Sequence, residues 1–132
     1  MSTNAILIVD DNPENLELAL AILSTQGYEL YTAADASEAL TILGELSPAL
    51  ILLDIQLPTM DGLQLTRQLK ADLRTKDIPI VAVTAYAMKG DEQRARAAGC
   101  DGYLSKPIDK RALRALVASY VHNNDAVSGR VS

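Results

Sequence analysis

Asp10, Asp11, Asp54, Thr84 and Lys106 are the residues of this sequence whose types and places suit phosphoryl chemistry. Asp10-Asp11 directly follows the apolar run Ala5–Val9, and Asp54 directly follows Ala49–Leu53. Thr84 closes the run Ile78–Val83, and Lys106 lies just beyond Asp101–Leu104. If those runs are parallel strands, their ends share one edge of a sheet, where open α/β folds bind ligands. Three carboxylates gathered there repel one another, and a bound cation relieves the repulsion. An oxygen-only donor set selects a hard ion, Mg2+ or its substitute Mn2+, over zinc, which favours His or Cys. The sole histidine, His122, falls in the C-terminal tail. A carboxylate can attack phosphorus to give an acyl phosphate, and the protein's task is then to position groups and neutralise charge. Asp54 is the expected nucleophile, because it stands alone while Asp10 and Asp11 form a pair suited to holding metal or its waters. Lys106 supplies a point charge and Thr84 a hydroxyl donor for the phosphoryl oxygens.

The elements that must position these groups are legible as an alternation of short apolar runs and helical patterns. Tyr28–Ala33 completes a set of five strands. Runs without polar alternation suit a parallel sheet covered on both faces, and intervening helices make the chain a doubly wound α/β fold. The first helix has Asn12 as cap, Pro13 at its first turn, a stripe of Leu16, Ala19, Leu20 and Leu23, and Gly27 at its end. Asp35 with Glu38 forms a capping box for the second helix, which fades at Ser47-Pro48. The third follows Asp61-Gly62 with Leu65 and Leu69 inward. The fourth, Met88 to Ala98, offers the core only alanines and a methionine, so it is expected to be weakly anchored. The fifth, Ile108 to Tyr120, carries two apolar rows. Ile108, Ala112, Ala115 and Leu116 make one row; Leu113, Val117 and Tyr120 make another, expected to be a dimer or kinase contact. Residues 1–121 are expected to be the domain, and 122–132 a flexible polar tail.

Composition narrows the function further. The 132 residues suit one domain, and 48% are hydrophobic, enough for a packed core. A net charge of −5 argues against nucleic acid as a partner. The lone Cys100 excludes an internal disulfide, and no run is long enough for a signal peptide or membrane span, so a cytoplasmic location is expected. Taken singly, each feature has a plainer meaning. Asp10-Asp11 would serve as a helix cap, Lys106 as a solvated charge, Cys100 as a small buried group, and Tyr28, Tyr31, Tyr103 and Tyr120 as packing residues. The constellation, not any one residue, carries the chemistry.

Taken together, Val9-Asp10-Asp11, Leu53-Asp54-Ile-Gln-Leu-Pro58 with Asp61-Gly62, Thr84-Ala85 and Tyr103-Leu-Ser-Lys106-Pro107 resemble the bacterial two-component response-regulator receiver family over about residues 5 to 120. The resemblance implies a flavodoxin-like (βα)5 sheet of order 2-1-3-4-5, as in the chemotaxis receiver. It implies phosphorylation of Asp54 from the phosphohistidine of a sensor histidine kinase or phosphotransfer protein. Asp11, Asp54 and the Gln56 carbonyl would bind Mg2+ directly, with Asp10 acting through water. Thr84, Ala85 and Lys106 would hold the phosphoryl group, with Thr84 and Tyr103 as the switch pair. A cis Lys106-Pro107 bond would aim Lys106. Gln56 and Tyr86 would govern access of water, bulky Tyr86 slowing hydrolysis. The stretch Val83–Asp91 with Gly99-Cys100 is similar to stand-alone cell-cycle regulators of the DivK type and to receivers of hybrid kinases.

The expected role is a signalling switch rather than a turnover enzyme: it catalyses its own phosphorylation and slow dephosphorylation, and presents a changed helix-four, strand-five and helix-five surface to a downstream protein or a second copy. A relay that passes the phosphoryl group onward is the alternative. A Mg2+-dependent aspartyl-phosphate hydrolase is disfavoured because an Asp-x-Asp motif after the first strand is missing, and an unphosphorylated scaffold because the full constellation is retained.

Overall fold

The computed structural model describes residues 4–55, 62–84, 90–105 and 109–131. Strands β1 (Ala5–Val9), β2 (Glu29–Ala33), β3 (Leu50–Asp54), β4 (Ile80–Thr84) and β5 (Gly102–Ser105) alternate with helices α1 (Pro13–Leu23), α2 (Ala36–Leu43), α3 (Gly62–Ala71), α4 (Asp91–Ala98) and α5 (Lys110–Val131). The sheet order is β2-β1-β3-β4-β5, and every neighbouring pair is parallel. This is the doubly wound arrangement expected from the sequence. Every residue of β1, β3 and β4 is buried, as strands covered on both faces must be.

Side chains alternate between two cores. On one face Leu7, Val9, Ile51 and Leu53 pack with Leu65, Leu69 and Ala95; on the other Ile6, Ile8, Leu50 and Leu52 pack with Ala19, Ile22, Leu23, Leu113 and Val117. The helix starts follow the sequence. The Asn12 Oδ1 accepts from the amides of Glu14 and Asn15 at 2.8 and 3.4 Å. Asp35 accepts from the Glu38 amide at 2.9 Å, while the Glu38 carboxylate reaches back to the Ala34 amide at 2.7 Å. After α1 a single 3-10 turn ends at Gly27, whose φ of 83° is a conformation L side chains disfavour. The buried stripe of α1 is Ala19, Ile22 and Leu23, with Leu16 and Leu20 only partly covered.

Helix α5 departs from expectation most. Leu113 and Val117, read from sequence as a contact for a partner, are fully buried against the sheet, with Val121 continuing the same row. Tyr120 is half-buried and its hydroxyl donates to the Asp101 carbonyl at 3.0 Å, so it too belongs to the fold rather than to a free surface. Residues 113, 117 and 121 are spaced one turn apart and form the helix's core face, while Ala112 and Ala115 are exposed. The sequence misled because two apolar rows share one helix and its pattern alone does not say which faces the sheet; Ile108, of the other row, lies outside the described residues. The helix also runs on to Val131 through the segment expected to be a tail; no proline interrupts it, and adding residues to a formed helix is easy compared with nucleating one. No helix among the described residues is long and apolar enough to cross a membrane.

This placement has a measurable consequence. Val117→Ala removes two methyl groups from a fully buried position and is expected to lower stability by about 2 kcal/mol, read as a lower urea midpoint with unchanged mass by light scattering. An unchanged midpoint with an altered mass would instead place the residue at an interface.

Candidate functional site

All five strands being parallel, the ends of β1, β3, β4 and β5 come to one edge of the sheet. The register makes the meeting specific. Val9 pairs with Leu53, so Asp10 and Asp54 stand level on neighbouring strands, and Thr84 on β4 pairs with Ser105 on β5, one residue before Lys106 in the chain. One carboxylate oxygen from each of Asp10, Asp11 and Asp54 lies within 4.8 Å of the others. Asp10 and Asp54 are each only 5% exposed, whereas Asp11 is open to solvent. Thr84 is fully buried.

Local structure fixes Asp10 and Asp54. The Asp10 amide donates to the Ala33 carbonyl at 3.0 Å, extending the ladder with β2 by one residue. Its Oδ1 accepts from the Asn12 amide at 2.9 Å, and Asn12 then caps α1. The start of α1 and the orientation of Asp10 are therefore one hydrogen-bonded turn. Asp54 is the last residue of β3, and the Ile55 amide still donates to the Val83 carbonyl at 3.2 Å, so the backbone on both sides of Asp54 is held by β4.

Gly62 fixes the return from that strand. Its amide donates to the Ile55 carbonyl at 3.0 Å, and a Cβ on it would fall 2.4 Å from the Ile55 Cα and 2.5 Å from the Asp54 carbonyl oxygen. Only glycine fits so close to another backbone. In the sequence Asp61-Gly62 signals no more than a turn and a helix start; the close approach depends on tertiary structure.

Beneath the carboxylates is a void of about 10 Å3 bounded by Ile8, Val9, Asp10, Asn15, Ala19, Leu52, Asp54, Val83 and Leu113. Space for a single water at most means the site's floor is close-packed, so a reacting group must approach from the outer edge. Asn15, which sequence reasoning passed over, borders this void; its place three residues after the cap residue Asn12 was the available signal.

Tyr103, midway along β5, is half-buried with its phenolic oxygen shielded, and it packs beside Ile55 on the α2, α3 and α4 face. Cys100 is buried, with its Sγ 3.6 Å from the Thr66 hydroxyl, and burial pushes its thiol above the ordinary value. It behaves as the small core group expected. Gln56, Ala85, Tyr86, Lys106 and Pro107 lie outside the described residues.

Chemically, the arrangement offers an all-oxygen cluster suited to a hard divalent cation, one aspartate fixed at a central strand's end, and a buried hydroxyl at the end of the next strand. Comparison with known proteins agrees. The response regulator receiver domain model matches residues 6–118. The polar-differentiation response regulator DivK of Brucella ovis is 44% identical over 119 residues, covering 90% of this chain and 97% of the relative. Among solved structures, a CheY-like receiver domain protein from Methanospirillum hungatei superposes with a TM-score of 0.85 at 31% identity, covering 95% of this chain and 98% of the other. The receiver domain of a sensor histidine kinase from Pseudomonas aeruginosa, solved with a magnesium ion coordinated in its active-site cleft, gives 0.83 at 32% identity, covering 92% and 99%. With the sheet order, the strand-end carboxylates and these matches in agreement, the chain belongs to the response regulator receiver domain family, the signalling switches of two-component systems.

Proposed function

We propose that Asp54 is the phosphoryl acceptor of a switch of the DivK kind, charged by a sensor histidine kinase or a phosphotransfer protein in the cytoplasm. The observation that carries this reading is the meeting of three carboxylates within 4.8 Å at the strand ends, with Asp54 held rigidly between β1 and β4. The Asp54 carboxylate attacks phosphorus; a P–O bond to the protein forms as the P–N bond to the donor imidazole breaks, and that imidazole leaves with the bond's electron pair and takes a proton.

The donor set fits Mg2+, which Asp11, Asp54 and the Gln56 carbonyl would hold directly and Asp10 through water. When bound, the ion neutralises the carboxylates and the phosphoryl oxygens. The chain's own groups do the rest. Asp10, fixed by the Asn12 amide, orients what it holds. The Thr84 hydroxyl and the Ala85 amide donate to phosphoryl oxygens, and the Lys106 ammonium adds the remaining positive charge. Gln56 and Tyr86 control the approach of water to the acyl phosphate and so its lifetime.

The output is a shift between two states, because the phosphoryl group contacts Thr84 differently in each. Thr84 moves toward it, Tyr103 follows, and the surface of α4, β5 and α5 changes its affinity for a downstream protein or a second copy. Incubation with Mg2+ and acetyl phosphate, followed by mass spectrometric mapping, tests the reading. One phosphoryl group on Asp54 is expected, with no uptake when EDTA replaces Mg2+. No mass gain, or a gain on another residue, overturns it.

A further inference from the structure

Asn15 lies in the first turn of α1, and strand parity decides what it faces. Side chains alternate along a strand, so Asp10 continues the Ile6 and Ile8 side of β1, and Asp54 the Leu50 and Leu52 side of β3. Both carboxylates therefore belong to the sheet face that α1 and α5 cover. Asn15, Asp10 and Asp54 border the same void of about 10 Å3, and the rest of its lining, including Ile8, Leu52 and Leu113, is apolar.

Asn15 is half-buried. Its backbone amide donates to the Asn12 Oδ1 at 3.4 Å, whereas its carboxamide makes no hydrogen bond among the described residues. A carboxamide turned toward two side chains that are each 5% exposed loses much of its access to bulk water and needs another partner. A void the size of one water probe, with two to four polar groups around it, is where proteins hold a structural water. The hydrogen-bonding types match without conflict. Ionised carboxylates only accept, a water donates twice, and its oxygen accepts from the Asn15 Nδ2.

We propose that Asn15 is a positioning residue of the phosphorylation site: through one water in this void it ties the inward oxygens of Asp10 and Asp54 together and leaves their outward oxygens for Mg2+ and phosphorus. Asn15 itself touches neither ion nor phosphoryl group. It holds two like-charged side chains in place before the ion arrives, and groups behind a metal's ligands raise affinity in this way. The inference rests on the phosphoryl-acceptor reading above.

Titration of the full chain with Mg2+ alone, followed by calorimetry with no phosphodonor present, tests it. Asn15→Leu keeps the side chain's size and suits a helix better, so its thermal midpoint without Mg2+ is expected to stay level or rise, while its Mg2+ affinity falls about tenfold. Asn15→Gln is the rescue. Its extra methylene takes the water's space and brings its own N–H donors to the carboxylates, so affinity is expected to stay within about threefold of the parent. Parent-like Mg2+ binding in Asn15→Leu overturns the proposal, and so does an equal loss in Asn15→Gln, which marks an asparagine needed only for packing. Should Asn15→Leu not fold, Asn15→Ala must show the loss of affinity; parent-like binding there overturns the proposal as well. A crystal structure of the parent fine enough to show ordered water is expected to hold one within about 3.2 Å of the Asn15 Nδ2 and of both carboxylates, and a dry void overturns the bridge. A parent chain that binds no Mg2+, or that takes its phosphoryl group elsewhere than on Asp54, would instead refute the phosphoryl-acceptor reading and the role of Asn15 with it.

Discussion

Asp54→Asn is expected to accept no phosphoryl group from acetyl phosphate, a loss of at least about a thousandfold, while folding like the parent chain. Asparagine has the same shape, so the buried strand end is not overfilled and the β3–β4 ladder is left intact. What it lacks is an anionic oxygen able to form the acyl phosphate. Asp10 is not expected to replace it, because its Oδ1 is engaged by the Asn12 amide and its carboxylate belongs to the proposed metal set. Asp11→Asn makes the instructive contrast. That side chain is exposed and its loss removes a charge from the proposed metal set, so uptake should slow by about tenfold or more and recover with added Mg2+, still on Asp54. Phosphopeptide mapping and the Mg2+ dependence of the rate check both outcomes. Equal labelling of Asp54→Asn and the parent chain would overturn the assignment.

Gly62→Ala is expected to destabilise the protein by about 3 kcal/mol or more, a fall in midpoint of roughly 10 °C, and to slow phosphorylation of whatever remains folded. The sign is what makes this informative. At an ordinary helical position alanine gains up to about 1 kcal/mol over glycine. Here the added methyl would lie 2.4 Å from the Ile55 Cα and 2.5 Å from the Asp54 carbonyl oxygen, and both obstacles are backbone, which cannot rotate away. Relief requires moving α3 off the end of β3, and Asp54 moves with it. Thermal unfolding followed by circular dichroism gives the first quantity and the acetyl phosphate rate gives the second. A variant as stable as the parent would show that the loop yields easily and that Gly62 is only a helix start.

The strand ends were legible because strongly apolar runs of four to six residues stop at an acidic or hydroxyl residue, and a parallel sheet then leaves few ways to arrange them. Asp10, Asp54 and Thr84 needed only strand order and register to meet. Helix phase was harder. The Leu113 and Val117 row of α5 is core and not contact, because two apolar rows compete on one helix and only the neighbouring strands decide between them. The Ile22 face of α1 was missed for the same reason. Gly62, Lys70 and Asp101 leave almost no local trace, since their work depends on chain segments that are distant in sequence: Lys70 reaches Asp101 across 31 positions, and Arg114 reaches the Ile22 carbonyl across 92.

The attachment of α4 through the methyl groups of Ala95 and Ala98 bears on how such a chain can diversify. Exchanging exposed residues such as Gln93 or Ala97 should alter folding stability by no more than about 0.5 kcal/mol each. That outward face can therefore vary at little cost to the fold, while the carboxylates at the strand ends, held by β1, β3 and β4, stay where they are.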